Sequence, residues 1–100
     1  MARLIALTIK DGPFNGINII RQIVSISTEK KIDYLEMKRR VAILDALELA
    51  EKDKADTLEI EEAEYDILRE AEAGFAFIIA NKEILTVRDD IRSAKVKEKA

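Results

Sequence analysis

Twenty carboxylates and seventeen Lys or Arg side chains, with no His and no Cys, set the chemistry open to this 100-residue chain. The densest acidic stretch holds Asp56, Glu59, Glu61, Glu62, Glu64 and Asp66. Carboxylate oxygens suit hard cations such as Mg²⁺ and Ca²⁺. A calcium loop needs ligands at fixed alternating positions, a central Gly and a terminal Glu, and this spacing does not match it. The cluster therefore reads as a solvated face. Asp89 and Asp90 read in the same way, with Arg88 and Arg92 placed to pair with them along a helix.

Cations offer a second constellation. Lys30, Lys31, Lys38, Arg39 and Arg40 gather around one helix start, and Arg3, Lys10 and Arg21 join them if the first strand packs nearby. A DNA-recognition helix shows cations of this kind. Glu29, Asp33 and Glu36 interrupt the patch, and no Asn or Gln stands on the exposed helix face to read bases. Ordinary surface charge is the preferred reading, with a small DNA-binding regulator as an alternative. The net charge of −3 also argues against broad nucleic-acid binding.

Catalysis finds little to work with. Lack of His removes the commonest general base near neutral pH and the commonest transition-metal ligand. Ser25, Ser27, Thr28 and Ser93 then have no His to activate them. The Gly12-Pro13-Phe14-Asn15-Gly16 loop is too short for a phosphate cradle and lacks a following Lys-Ser/Thr. Without Cys there is no thiolate nucleophile, disulfide framework or Cys-based zinc site. No catalytic, cofactor-binding or metal-ligating residue is expected, and the chain does not read as an enzyme.

The elements that would position these side chains follow from length and pattern. One hundred residues make one domain, with 48% hydrophobic and 37% charged content typical of a folded soluble chain. Such a domain buries roughly 60–70% of its unfolded surface, so its stability is modest. The opening MARLIALTIKDG has a short apolar run without a small-residue cleavage pattern, so a signal peptide is not expected. No apolar stretch approaches the roughly 18–20 residues of a membrane span. A reducing cytoplasmic setting is the expectation.

The strongest element is a helix over 33–51. Asp33 stands three residues before Glu36, as a helix N-cap does, and no Gly or Pro interrupts Tyr34–Ala50. Tyr34, Met37, Val41 and Leu44 form one apolar stripe. Leu35, Ala42, Ala46 and Leu49 lie on a neighbouring face, and Ile43 points elsewhere again. A helix apolar around so much of its circumference is deep inside a domain or shared between two surfaces.

Before it, 4–9 reads as a strand covered on both sides, ended by Asp11-Gly12-Pro13. Residues 15–26 fit a helix capped by Asn15, because Ile19-Ile20 followed by Ile23-Val24 is helical pairing; the β-branched content favours a strand, which stays open. After the long helix, 57–60 alternates as a strand that pairs with 4–9. Helices over 62–73, stopped by Gly74, and over 82–94, capped by Asn81, complete the order β-α-α-β-α-α. The whole is an α+β, mainly helical domain over 1–94, with a frayed basic tail at 95–100.

Phe75–Ala80 is an apolar run of uncertain state. With the broad central helix it supplies more hydrophobic surface than a two-layer domain of this size readily hides. Phe14, Tyr34, Met37, Ile43, Phe75, Phe77 and Ile79 are the candidate contact residues. They point to a protein-interaction or assembly role through a homo-oligomer or another protein, with no membrane partner. The runs Met37–Leu47 and Asp56–Leu68 resemble segments of small uncharacterised proteins of tailed bacteriophages. That resemblance implies a virion component, an accessory protein or an inhibitor of a host protein, in the virion or the host cytoplasm.

Overall fold

The computed structural model describes residues 2–28 and 31–97. The chain runs β1 (Ala2–Ala6), α1 (Gly16–Ser25), α2 (Tyr34–Lys52), β2 (Thr57–Glu61), α3 (Glu62–Gly74), α4 (Lys82–Arg92) and β3 (Lys95–Val96). The fold is α+β and mainly helical, with four helices on a small antiparallel sheet of order β2-β1-β3. No helix of the described residues is long and apolar enough to cross a membrane.

Segment 15–26 forms a helix because of side-chain direction. Ile19, Ile20, Ile23 and Val24 share one face at helical spacing and all four are buried. In a strand, Ile19 and Ile20 would face opposite sides. Each β-branched residue costs roughly 0.5 kcal/mol of helix propensity, against about 1.5–3 kcal/mol gained by burying each side chain. Burial wins. Asn15 Oδ1 accepts from the Asn18 amide at 2.8 Å, and at the next helix Asp33 Oδ1 accepts from the Glu36 amide at 2.8 Å. Asn81 Oδ1 accepts from Glu83 and Ile84 at the start of α4.

Helix α2 packs against α1, α3 and β2, which makes it the hub of the domain. Its inward residues Ile43, Leu47 and Ala50 join Ile5, Leu7, Leu58, Ile60, Leu68, Val87 and Ile91 in one core.

The sheet differs from the pattern-based expectation in three ways. Strand β1 begins at Ala2 and leaves the ladder after Ala6, although the Leu7 amide still donates to Asp56 O at 2.9 Å. Only one face of β1 is covered: Ile5 and Leu7 are buried, Leu4 is half-buried, and Ala6 and Thr8 are exposed. Part of the tail expected to fray supplies a third strand, with Lys95 and Val96 opposite Leu4 and Arg3, and Lys97 Nζ 2.8 Å from Glu59, while 98–100 lie outside the described residues. Two residues were too few to give an alternation visible in sequence.

Gly74 ends α3, as expected, but not through the left-handed conformation Gly permits. The stop is made by Phe75 in an extended conformation. Thr28 secures that end: its Oγ1 donates to Gly74 O at 3.1 Å and accepts from the Ala76 amide at 3.1 Å. A side chain from the α1–α2 connection thus satisfies backbone groups the helix leaves open.

Candidate interaction surface

The charged residues resolve into separate internal pairs. Glu36 and Arg40, one helical turn apart on α2, lie on its inward side beside Ile43 and Leu47. Arg40 is only 4% exposed. Its Nε donates to Glu36 Oε2 at 3.0 Å, and its Nη1 donates to Val24 O at 3.1 Å and Ile23 O at 3.3 Å. These are terminal carbonyls of α1, whose last turn has no basic residue of its own. Arg40 therefore supplies from α2 the positive charge that the α1 C-terminus favours.

Glu72 of α3, 0% exposed, accepts from Arg88 Nε at 2.5 Å and from Arg92 Nε at 3.2 Å. Arg88 and Arg92 were expected to pair with Asp89 and Asp90 along their own helix. They instead cross to α3, where the buried Glu72 carboxylate takes both as partners. Asp90 accepts from the Thr8 amide at 3.4 Å.

The acidic cluster disperses in the same manner. Asp56 pairs with Lys10, Glu59 with Lys97, and Glu64 accepts from the Glu61 amide at 3.1 Å. Glu62 accepts two hydrogen bonds from Arg3, at 2.6 and 2.9 Å. Arg3 holds the Glu62 carboxyl below its ordinary range, chiefly through that hydrogen bond, and Glu62 raises Arg3 in return. Arg3 also lies 4.8 Å from the centroid of Tyr65, whose hydroxyl donates to Ile91 O at 2.7 Å. Among the described residues no group of three or more carboxylates is placed to hold a metal ion.

The cationic constellation loses members too. Arg40 is internal and occupied. Arg3, Lys10 and Arg21 are engaged by Glu62, Asp56 and Glu51. Lys31 and Lys38 are exposed and Arg39 is half-buried, while Lys30 lies outside the described residues. The Lys38 ammonium sits 5.7 Å from the Tyr34 ring centroid.

Apolar residues tell a different story. Tyr34 is 79% exposed and Leu49 60% exposed, and Leu35, Met37 and Val41 also face solvent. All five belong to α2, whose opposite side is core. Ile43 does not join them: it is fully buried between α2 and its neighbours, because its position falls on the same inward face as Leu47. Phe14 is half-buried against the core and adds to the hydrophobic interior.

A second apolar exposure lies in the connection between α3 and α4. The rings of Phe75 and Phe77 pack 4.7 Å apart at 54° and lean on the core. The Arg88 guanidinium covers Phe77 at 5.0 Å. Ile78, by contrast, is 97% exposed. Ile79 and Leu85, also exposed, line a shallow groove with Phe77, Ile84 and Arg88.

Of the candidate contact residues, Tyr34, Met37 and Ile79 are thus on the surface. Phe14, Phe75 and Phe77 are part of the packing, and Ile43 is wholly internal. Sequence reasoning counted Ile78 in the apolar excess around the Phe-rich stretch, and left Leu35, Val41, Leu49 and Leu85 out of the named contact residues. Leu35, Val41 and Leu49 were readable, since Val41 shares the stripe of Tyr34 and Met37 and the other two lie on the neighbouring face. No family model, curated protein or solved structure matches this chain.

Proposed function

We propose that this is a non-enzymatic protein-interaction or assembly protein that works by contact through the outward side of α2. The observation that carries the reading is Tyr34, Leu35, Met37, Val41 and Leu49 standing in solvent on the helix that organises the core. Tyr34, Met37 and Val41 follow one another along one line of the helix, and apolar exposure grouped in this way marks contact surfaces, with Leu35 and Leu49 to one side of it. Another copy of the chain is the favoured partner. The likeness of 37–47 and 56–68 to phage segments supports a virion or host-cytoplasmic setting for such a role.

Sedimentation velocity tests this over about a hundredfold range of concentration, since association shifts with mass action. The sedimentation coefficient is expected to rise with concentration, and Val41→Asp to suppress the rise while leaving the helical circular dichroism intact. A monomer at every concentration contradicts self-association.

A further inference from the structure

We infer that two copies pair through α2 in antiparallel fashion across a two-fold axis, with Val41 packed on the partner's Leu44 and Lys38 set beside the partner's Asp45. This rests on the reading of the α2 outer side as a contact surface, and names its occupant and geometry.

Spacing and charge carry the inference. Tyr34, Met37, Val41 and Leu44 follow one another at intervals of three, four and three, and Glu48 and Glu51 continue the same line. Such a heptad stripe is the seam along which two helices pack at a shallow crossing angle. Val41 and Met37 are exposed and Leu44 is half-buried at the seam's inner margin. Lys38 and Asp45 are exposed, seven residues apart, and therefore share one flank of the seam.

The charges choose the direction. Among the exposed charges of α2 and its cap, Asp33 and Lys38 precede the midpoint in that order, and Asp45 and Lys52 follow it on the same flank, so the flank reads acid, base, acid, base and is complementary to itself only when reversed. A parallel pair in register would set Glu48 on the partner's Glu48 and Glu51 on the partner's Glu51, and would part Lys38 from the partner's Asp45, because like flanks of the seam then lie on opposite sides. An antiparallel pair centred between Val41 and Leu44 puts Lys38 between the partner's Asp45 and the partner's Glu48. Lys52 then comes level with the partner's Asp33. A two-fold contact repeats every pairing, so each complementary pair counts twice. Arg21 already holds Glu51 at 3.0 Å, which leaves the stem of Glu51 for the partner's Tyr34 to cover.

The helix is 19 residues long, so the seam extends about 28 Å. One helix pair of that length makes a contact at the small end of specific interfaces, so the expected dimer is a weak one that forms and dissociates with concentration.

Charge reversal separates this pairing from other modes of contact. Lys38→Glu and Asp45→Lys each turn two attractions into two repulsions and are expected to weaken the dimer about tenfold or more. The double variant restores both pairs and is expected to return to within about threefold of the original affinity. Both side chains are exposed, so circular dichroism and melting temperature should hardly change. Dimers indifferent to all three variants overturn the antiparallel pairing and leave a contact through another surface, such as the Ile78 loop. A chain that stays monomeric overturns the pairing and self-association together.

Discussion

Replacing Arg40 with Ala is expected to lower the unfolding free energy by about 3–5 kcal/mol, the usual cost of removing one partner from a buried ion pair. The change takes the guanidinium from Glu36 and at the same time strips a donor from the Ile23 and Val24 carbonyls. A native domain is stable by only about 5–15 kcal/mol, so much of its margin goes. The melting temperature should fall by at least about 12 °C for a chain of this size. Arg40→Met combined with Glu36→Leu should recover part of the loss, because a buried pair replaced as a unit by apolar side chains is often tolerated. Recovery stops short of complete, since the α1 carbonyls still want a donor. Urea titration of the three proteins measures this. A loss under about 1 kcal/mol for Arg40→Ala would mean that water reaches the pair freely.

Glu72→Ala is expected to cost about 2–4 kcal/mol, from charge-assisted hydrogen bonds lost between α3 and α4 and a cavity left behind. The figure stays below that for Arg40 because of where the surviving partners lie. Arg88 and Arg92 are partly exposed and can turn to solvent. Glu72→Lys should be worse than Glu72→Ala, as it sets a third cation beside two others at a fully buried position. Glu72→Gln should fall between wild type and Ala, because it keeps volume and an acceptor but loses charge. Arg88 also covers Phe77. Amide exchange at 76–80 should therefore quicken in Glu72→Ala, and an order of stability in which Lys equals Ala would sink this account of the site.

These two ion pairs show where sequence is informative and where it stops. The caps Asn15, Asp33 and Asn81, the four helices and the pairing of the first strand with 57–60 depend on neighbours within a few residues or on simple periods. They are legible for that reason. The roles of Arg40 and Glu72 depend on which helix comes to lie beside them. Arg40 reads as part of a basic patch until α1 is seen to end against it, and Arg88 reads as a partner for Asp89 until Glu72 is found buried one helix away. Strand β3 was hidden for a related cause. Its two residues gain their conformation from the ladder with Arg3 and Leu4 rather than from their own pattern.

The contact surface sits between these cases. The apolar breadth of α2 is plain in the sequence, but which arc faces the core is decided by α1, α3 and β2. Ile43 and Met37 looked alike as candidates, and packing buried one and left the other in solvent. In the 75–81 connection the phenylalanines pack half-buried against the core, while Ile78 was left outside.

The central claim is that α2 meets a second α2 running the other way, and a spin-label distance tests it most directly. The chain has no Cys, so Asp53→Cys provides one labelling site per copy at the exposed end of the helix, outside the proposed pairs. At concentrations above the dissociation constant, antiparallel pairing centred between Val41 and Leu44 predicts a label separation of about 30 Å. A separation near 10 Å would mean parallel helices, and absence of dipolar coupling would mean that the α2 surfaces do not meet.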